Sequence, residues 1–451
     1  MHKINATHDI NRKSWIAAAN AAGTDFPIQN LPIGIFSNSG CKPRGGVAIG
    51  DQIFDLKAAL DVGLFTGNAA DAARFAAGAK LNPLMDAGPC QSSVLRHRVS
   101  DLLRDGGPDS DKRRAAADRL LVPMAQAHMH LPAAIGGFTD FLTSIYHSER
   151  GGRHSRPDSP VPPVFRYMPI AYNSRTSSLR VSGEAVRRPN GQFKKGNAVQ
   201  FGPTEAFDFE LELGLFVGKG NAVGEPVAVE NTGDMTFGYC LVNDWSARDI
   251  QGWESALGPF LAKSVSTSIS PWVVTAEALA PFHAAAFKRP AGDPAPLPYL
   301  LSNDDQAQGG LDLAMEVYLS TPRMRSEGGK PHRITLTNFK HMYWTFAQMV
   351  AHHTSNGCNL RPGDLVASGT VSGPTDDSRA CYSEITERGT KPIALPNGEQ
   401  RSWLADGDEI TFRARASRAG FSSIGFGECK GRIEPAVAWP AKATRGVAAA
   451  E

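Results

Sequence analysis

The sequence predicts a mainly β protein with some α-helix, divided into a small N-terminal β-barrel domain and a larger strand-rich domain. At 451 residues the chain exceeds the length at which one hydrophobic core stops growing, so two domains are the better expectation. Its 45 glycines and 31 prolines supply turns at a density that suits many short strands. In the second half, apolar and polar residues alternate over short stretches bounded by Gly, Pro, Asn or Asp, the period of a half-buried strand rather than of a helix.

In chain order, residues 31–56 read as short strands at 33–36, 47–49 and 53–56, separated by the turn sequences SNSG (37–40) and Gly50-Asp51. This is the small barrel. Helical patterns follow at 69–78 and 94–103, and the turn-forming run DGGPDSD (105–111) ends the second before another Ala/Arg/Leu helix. The first domain should end between about 120 and 135, and we place the boundaries at 1–132, 133–436 and a flexible tail over 437–451. In the second domain strands are expected at 207–217, 235–242, 311–319, 365–368 and 409–414, one helix at 343–352, and a proline-rich surface loop at 281–298.

Composition removes several function classes. The 47 basic side chains nearly cancel the 45 acidic ones, and no basic run is long enough to track a phosphate backbone or an anionic membrane, so neither nucleic acid nor membrane is an expected partner. The six cysteines are scattered without a C-x-x-C pair, which suits a reducing compartment. The apolar stretch at 15–22 is short, Ala-rich and broken by Asn20, unlike a secretory leader, and no run approaches the ~18 apolar residues of a membrane span. A cytoplasmic protein is expected.

Three clusters could carry chemistry. In FDFELELGLFV (207–217), alternation sends Phe209, Leu211 and Leu213 to one face and Asp208, Glu210 and Glu212 to the other. Like charges on one face either point to water or gather a hard cation such as Ca²⁺ or Mg²⁺, which takes oxygen ligands. In NDWSARDIQ (243–251), a helix would align Asp244, Arg248 and Gln251 at i, i+4 and i+7; the plainer reading is an N-cap Asp with an ion pair. In FTDFLTSIYH (138–147), Asp140 precedes His147 by two helical turns, so both could address one cleft; a lone histidine is more often simply packed.

Together with LGPFLAK (257–263), HHTSNGCNLRPGD (352–364), ASGTVSGP (367–374) and DFPIQNLP (25–32), these runs resemble the fumarylacetoacetase family, and the resemblance extends from about 25 to about 433. It implies an SH3-like N-terminal barrel, a C-terminal catalytic β-roll of mixed strands, a homodimer, and metal-dependent hydrolysis of a carbon–carbon bond in a small β-diketo acid. That substrate would be fumarylacetoacetate, cleaved to fumarate and acetoacetate in tyrosine and phenylalanine catabolism. Carried over by position, Asp140, Glu210, Glu212 and Asp244 would hold Ca²⁺ or Mg²⁺, and Lys263 and Thr267 match positions near a second, structural Mg²⁺ that would share Asp244, or near the reacting carbonyl. His147 would activate water, Glu384 would orient it, and Arg248, Gln251 and Lys263 would donate to the oxyanion. Arg156, Tyr172, Gln251 and Thr370 match substrate-contacting positions.

The departures lie around the substrate. The family carries tyrosines where this chain has Leu142 and Ser255, and SERGGRHSR (148–156) replaces an apolar-containing loop. An acylpyruvate-type hydrolase, a keto-acid decarboxylase or isomerase of the same superfamily, and a non-catalytic dimeric binding protein are the competing readings. The His147–Glu384 pair argues for hydrolysis among them. The run GKGNAVG (218–224) imitates a dinucleotide fingerprint, but its third glycine comes late and Pro226 follows, so a turn is expected. Neither His128-Met-His130 nor His352-His353 has the spacing of a zinc hydrolase.

Overall fold

The computed structural model describes residues 2–439; residues 440–451, most of the expected tail, lie outside the described residues. The N-terminal unit is a five-stranded antiparallel sheet in the order Leu121–Pro123, Gln52–Asp55, Arg44–Ile49, Ile33–Ser37, His128–His130. Helices Gly67–Ala76 and Pro89–Leu103 pack beside it. The second begins earlier than its apolar pattern suggests because Pro89 occupies the first turn, where its missing N–H costs nothing. The expected third helix is two short ones, Ser110–Ala115 and Ala117–Leu120, broken at Ala116, whose φ of −105° and ψ of 9° are not helical.

The larger unit centres on a mixed sheet whose strands we label in chain order: β1 (Phe138–Leu142), β2 (Ile170–Asn173), β3 (Leu179–Val181), β4 (Leu211–Val217), β5 (Thr236–Asp244), β6 (Thr267–Ile269) and β7 (Leu365–Ala367). Their spatial order is β2-β1-β7-β4-β5-β6-β3, with Val274–Thr275 also paired to β5. The β1/β7 and β6/β3 pairs are parallel and the others antiparallel. A second sheet of His332–Asn338, Leu313–Ser320, Glu409–Ala416, Ile424–Glu434 and Val186–Arg187 faces it.

The inner core forms where Leu211, Leu213 and Leu215 of β4 meet Met315, Val317, Phe412 and Phe426 of the second sheet. The opposite face of the central sheet, bearing Phe138, Phe216, Cys240, Val242 and Ala367, is covered by the N-terminal unit. Both faces are therefore buried, which is why β4 is buried at every position.

Three expectations shift. The strand expected over 207–217 is broken into Phe207–Asp208, paired with Ser246–Ala247, and β4. The helix expected at 343–352 is Phe346–Thr354, because Thr345 and Gln348 form a capping box that sets its start. Tyr343 and Trp344 instead pack with Phe165. Within 281–298, His283–Ala284 pairs with Gly310–Leu311, and Asp293 is drawn inward by Arg166 (2.9 Å) and the Tyr343 hydroxyl (3.1 Å). The long strand Ile424–Glu434 was not anticipated, since its glycines dilute the alternation.

Candidate active site

Strand parity assembles the site. On β4 the residues Leu211, Leu213 and Leu215 enter the inner core, so Glu212 points to the N-terminal side with Phe216. Across the ladder, Glu212 pairs with Val242 of β5, and two residues further Asp244 ends that strand on the same face, opposite Thr267 of β6. On β1, Asp140 follows Phe138 on this face and pairs with Ala367 of β7. Glu210 stands just before β4, bridged to Cys381. Beyond the last apolar residues of this face, Asp140, Glu210, Glu212 and Asp244 gather, one oxygen of each within 4.8 Å of the others and all four side chains buried.

The cluster is under electrostatic stress. Both carboxylate oxygens of Glu212 and Oδ1 of Asp140 are buried without a hydrogen-bond partner. Burial first, then neighbouring carboxylates, push the carboxyl groups of Glu212 and Asp140 well above their ordinary range. Glu210 goes the other way: burial opposes its charge, but Lys263 and Arg248 outweigh that and hold it well below the usual range. Arg248 Nη2 donates to Glu210 Oε1 at 2.7 Å; Lys263 Nζ donates to Glu210 Oε2 and stands 3.0 Å from Asp244 Oδ2. Burial would favour the neutral amine of Lys263, yet Asp244 and Glu210 keep it charged. The Thr267 hydroxyl donates to Asp244 Oδ1 at 2.8 Å, and the Tyr172 hydroxyl lies 2.7 Å from Asp140 Oδ2 and 2.8 Å from Asp244 Oδ2.

Two cationic side chains compensate only part of this charge. Unpartnered oxygens in an all-carboxylate set fit a hard divalent cation, and Lys263 and Thr267 complete the surroundings of Asp244.

A histidine faces the cluster. Helix α1 (Ile145–Ser155) starts at Ser144, whose Oγ accepts from the His147 backbone N–H at 3.1 Å. His147 Nδ1 meets Glu384 Oε1 at 2.5 Å; Nε2 lies 3.4 Å from Thr370 Oγ1 and 4.0 Å from Glu210 Oε1. A carboxylate on Nδ1 makes that nitrogen the donor and leaves the Nε2 lone pair facing the carboxylate cluster, the arrangement of a base that deprotonates water. Glu384 also accepts from Ser372 Oγ at 2.5 Å and from Arg150 Nη1 at 2.9 Å. Although burial opposes it, His147, Ser372 and Arg150 hold this carboxyl down to about 2. Gly369 lets the loop carrying Thr370 approach β1: its φ is +73°, and a Cβ there would lie 2.0 Å from the Phe141 carbonyl oxygen.

The spacing arguments named residues that the structure does bring together, but by a different geometry. Asp140 and His147 do not share a helix, since the first lies in the middle of β1 and the second stands in the first turn of α1. Asp244 is likewise a strand residue, and Arg248 begins helix α2 (Arg248–Glu254), where Gln251 Oε1 accepts from Arg248 Nη1 at 3.1 Å. Asp208 does not join Glu210 and Glu212, because the break after it turns its carboxylate away. It accepts from Arg248 Nε (2.7 Å) and from the backbone N–H groups of Tyr382 (2.6 Å) and Ser383 (3.0 Å), tying Arg248 to the short helix that carries Glu384.

Leu142 packs at the edge of an apolar cluster containing Ile145, Val161, Phe165 and Trp344. Ser255 and Arg156 are exposed; Ser255 caps α2, and Arg156 Nη2 donates to the Pro160 carbonyl at 3.1 Å. Among the described residues neither is hydrogen-bonded to the carboxylate cluster. Sequence reasoning passed over Arg150 and Ser372. Arg150 stands one helical turn after His147, a spacing that could have found it; nothing local singles out Ser372.

Comparison with known proteins adds a family context. Residues 141–434 match the family described as Fumarylacetoacetate (FAA) hydrolase C-terminal, and residues 29–132 match Fumarylacetoacetase N-terminal. The chain is 42% identical over 425 residues to the fumarylacetoacetase of Oryza sativa subsp. japonica, with 92% of this chain and 96% of the relative covered. It is 42% identical over 430 residues to the fumarylacetoacetase of Homo sapiens, covering 92% and 98%, and 41% identical over 423 residues to that of Rattus norvegicus, again covering 92% and 98%.

Proposed function

The chain belongs to the fumarylacetoacetate hydrolase family, and from that premise we propose that it hydrolyses fumarylacetoacetate to fumarate and acetoacetate, a step of tyrosine and phenylalanine catabolism. The observation that carries the reading is a buried four-carboxylate cluster faced by Nε2 of a histidine whose Nδ1 is held by a carboxylate. Calcium or magnesium held by Asp140, Glu210, Glu212 and Asp244 would supply Lewis-acid polarisation of the substrate's oxygens.

The chain's own groups do the rest. His147 Nε2 takes a proton from water, and the hydroxide adds to the ketone carbonyl. Arg248, Gln251 and Lys263 donate to the oxyanion; since Gln251 accepts through Oε1, its amide N–H groups remain for this task. Collapse breaks the carbon–carbon bond, and the proton held on His147 is available to the departing carbon. Turnover followed by loss of diketone absorbance, with chelated and metal-restored protein side by side, tests the reading; full activity after chelation would overturn it.

The finer assignments rest on the same premise. Residues 1–132 form an SH3-like barrel domain with its helices, and 133–436 form the catalytic domain. The protein works as a cytoplasmic homodimer. Among the described residues no helix is long and apolar enough to cross a membrane. Dimerisation is supported by exposed Phe201, Trp253, Leu257, Phe260 and Trp439 on the adjoining hairpin, helix α2, its following loop and the segment after the last strand, with the Phe201 and Trp439 rings 5.0 Å apart.

Substrate choice should differ from the family's. Leu142 cannot donate a hydrogen bond and Ser255 reaches less far than a tyrosine, so the group beside them in the preferred diketo acid is bulkier or less polar than in fumarylacetoacetate, with Arg156 left for a carboxylate. On kcat/KM, such acyl diketo acids should then compete with or exceed fumarylacetoacetate by about tenfold. A strong preference for fumarylacetoacetate that a Leu142→Tyr, Ser255→Tyr double variant leaves unchanged would refute the altered pocket.

A further inference from the structure

Resting on the hydrolytic reading, we propose that Arg150 is a positioning residue that fixes Glu384, and through it the ring of His147, for water activation. His147 and Arg150 stand three residues apart on α1 and so project from one helix face. They grip one carboxylate from the same side: Nδ1 of His147 meets Oε1 at 2.5 Å and Nη1 of Arg150 meets Oε2 at 2.9 Å. Ser372 adds a second donor to Oε1, so Arg150 is the only side chain hydrogen-bonded to Oε2 among the described residues. The other arm of Arg150 donates to the Thr375 carbonyl oxygen at 3.3 Å, anchoring the guanidinium to the loop that also carries Ser372.

The pair is largely withdrawn from water, with 14% of the Arg150 side chain and 3% of the Glu384 side chain exposed, so screening does little to weaken it. Without Arg150, Oε2 would be buried and unpaired, and the carboxylate could rotate its free oxygen away from the donors on Oε1. The imidazole would then lose the fixed partner that sets its tautomer and ring angle. Among the described residues Arg150 forms no ion pair with the carboxylate cluster, whereas Arg248 and Lys263 both do, which separates it from those oxyanion donors; both of its terminal nitrogens are engaged by protein oxygens away from the cluster, which separates it from a free substrate-carboxylate anchor.

The test uses the full-length, metal-loaded protein with Arg150→Met and Arg150→Lys. In Arg150→Met, kcat should fall by about 10- to 100-fold, the range for losing an orienting partner of a reactive group, while KM and metal stoichiometry stay within about twofold. Arg150→Lys, which keeps a charged donor, should restore most of kcat. The downfield proton NMR signal of the His147 Nδ1–H, assigned by its absence in His147→Ala, should shift or broaden in Arg150→Met and return in Arg150→Lys. If Arg150→Met does not fold, Arg150→Gln is read by the same three measurements. An unchanged Nδ1–H signal, a raised KM at constant kcat, or failure of Lys to rescue would each overturn the proposal. A wild-type protein that cleaves no diketo acid would strike the hydrolytic reading instead, and the Nδ1–H signal would still decide whether Arg150 holds the pair.

Discussion

Glu212→Gln is expected to abolish turnover while making the metal-free protein more stable. In the folded chain both Glu212 oxygens are buried without a partner amid three other carboxylates. A glutamine of the same shape carries no charge, and its amide can donate to these neighbours. Relieving an unsatisfied buried group is worth about 1–3 kcal/mol. The sign with pH follows from the raised carboxyl: the folded state holds the Glu212 proton more tightly than the unfolded chain does. The Glu212 contribution to the stability of the metal-free protein is therefore fully present below the ordinary glutamate range (~4.3) and is lost as pH rises through the elevated folded value. Glu212→Gln should remove that part of the loss, although Asp140, raised for the same reason, keeps its own share.

With metal present the order reverses. A cation binding only the folded state adds about 2.7 kcal/mol at a hundred times its Kd, and a variant short of one anionic ligand forfeits most of this. Several kcal/mol of charge stabilisation also disappear from the reaction, a loss of about 10³-fold or more in kcat/KM. Thermal melts with and without chelator, alongside turnover, check all three statements. Glu212→Gln protein that keeps its activity and its metal-induced rise in Tm would show that the cluster is not the metal site.

His147→Ala should lower kcat by about 10² to 10⁴ and leave the metal-induced rise in Tm in place, because a base acts in the transition state rather than in holding the cation. Glu384→Gln should cost less, since the imidazole remains. The cost is still real: Arg150 demands an acceptor at Oε2, which turns the new amide NH₂ toward Nδ1 and favours the wrong tautomer. Glu384, held down to about 2, contributes stability that is present above the ordinary glutamate range and is lost as pH falls through that value; Glu384→Gln should flatten the acid side of the stability curve. Wild-type turnover in both variants would eliminate the His–Glu pair as the water-activating group.

Alternation and local motif content were legible from the chain alone. A period of two separates Leu211 and Leu213 from Glu210 and Glu212 whatever the neighbouring strands do, and the structure keeps that division. Alternation also grouped Asp208, Glu210 and Glu212 as a candidate hard-cation face, whereas the full four-carboxylate set and the His147–Glu384 pair were implied by the resemblance to the fumarylacetoacetase family. Geometry was not legible. The seven-position step from Asp140 to His147 suits two helical turns as well as a strand feeding a helix, and only the parallel pairing of β1 with β7 selects the second. Asp208 shares the alternation of Glu210 and Glu212, yet a two-residue pairing with Ser246–Ala247 and a break before β4 carry it to Arg248 and the Glu384 helix. The contact of His147 with Glu384 across a separation of 237 positions, and the grip of Arg150 on the far oxygen, exist only once the sheets have packed. Sequence patterns determine which face a side chain takes, because that depends on backbone period; strand register and loop closure decide which faces meet, because they depend on contacts between residues distant in the chain.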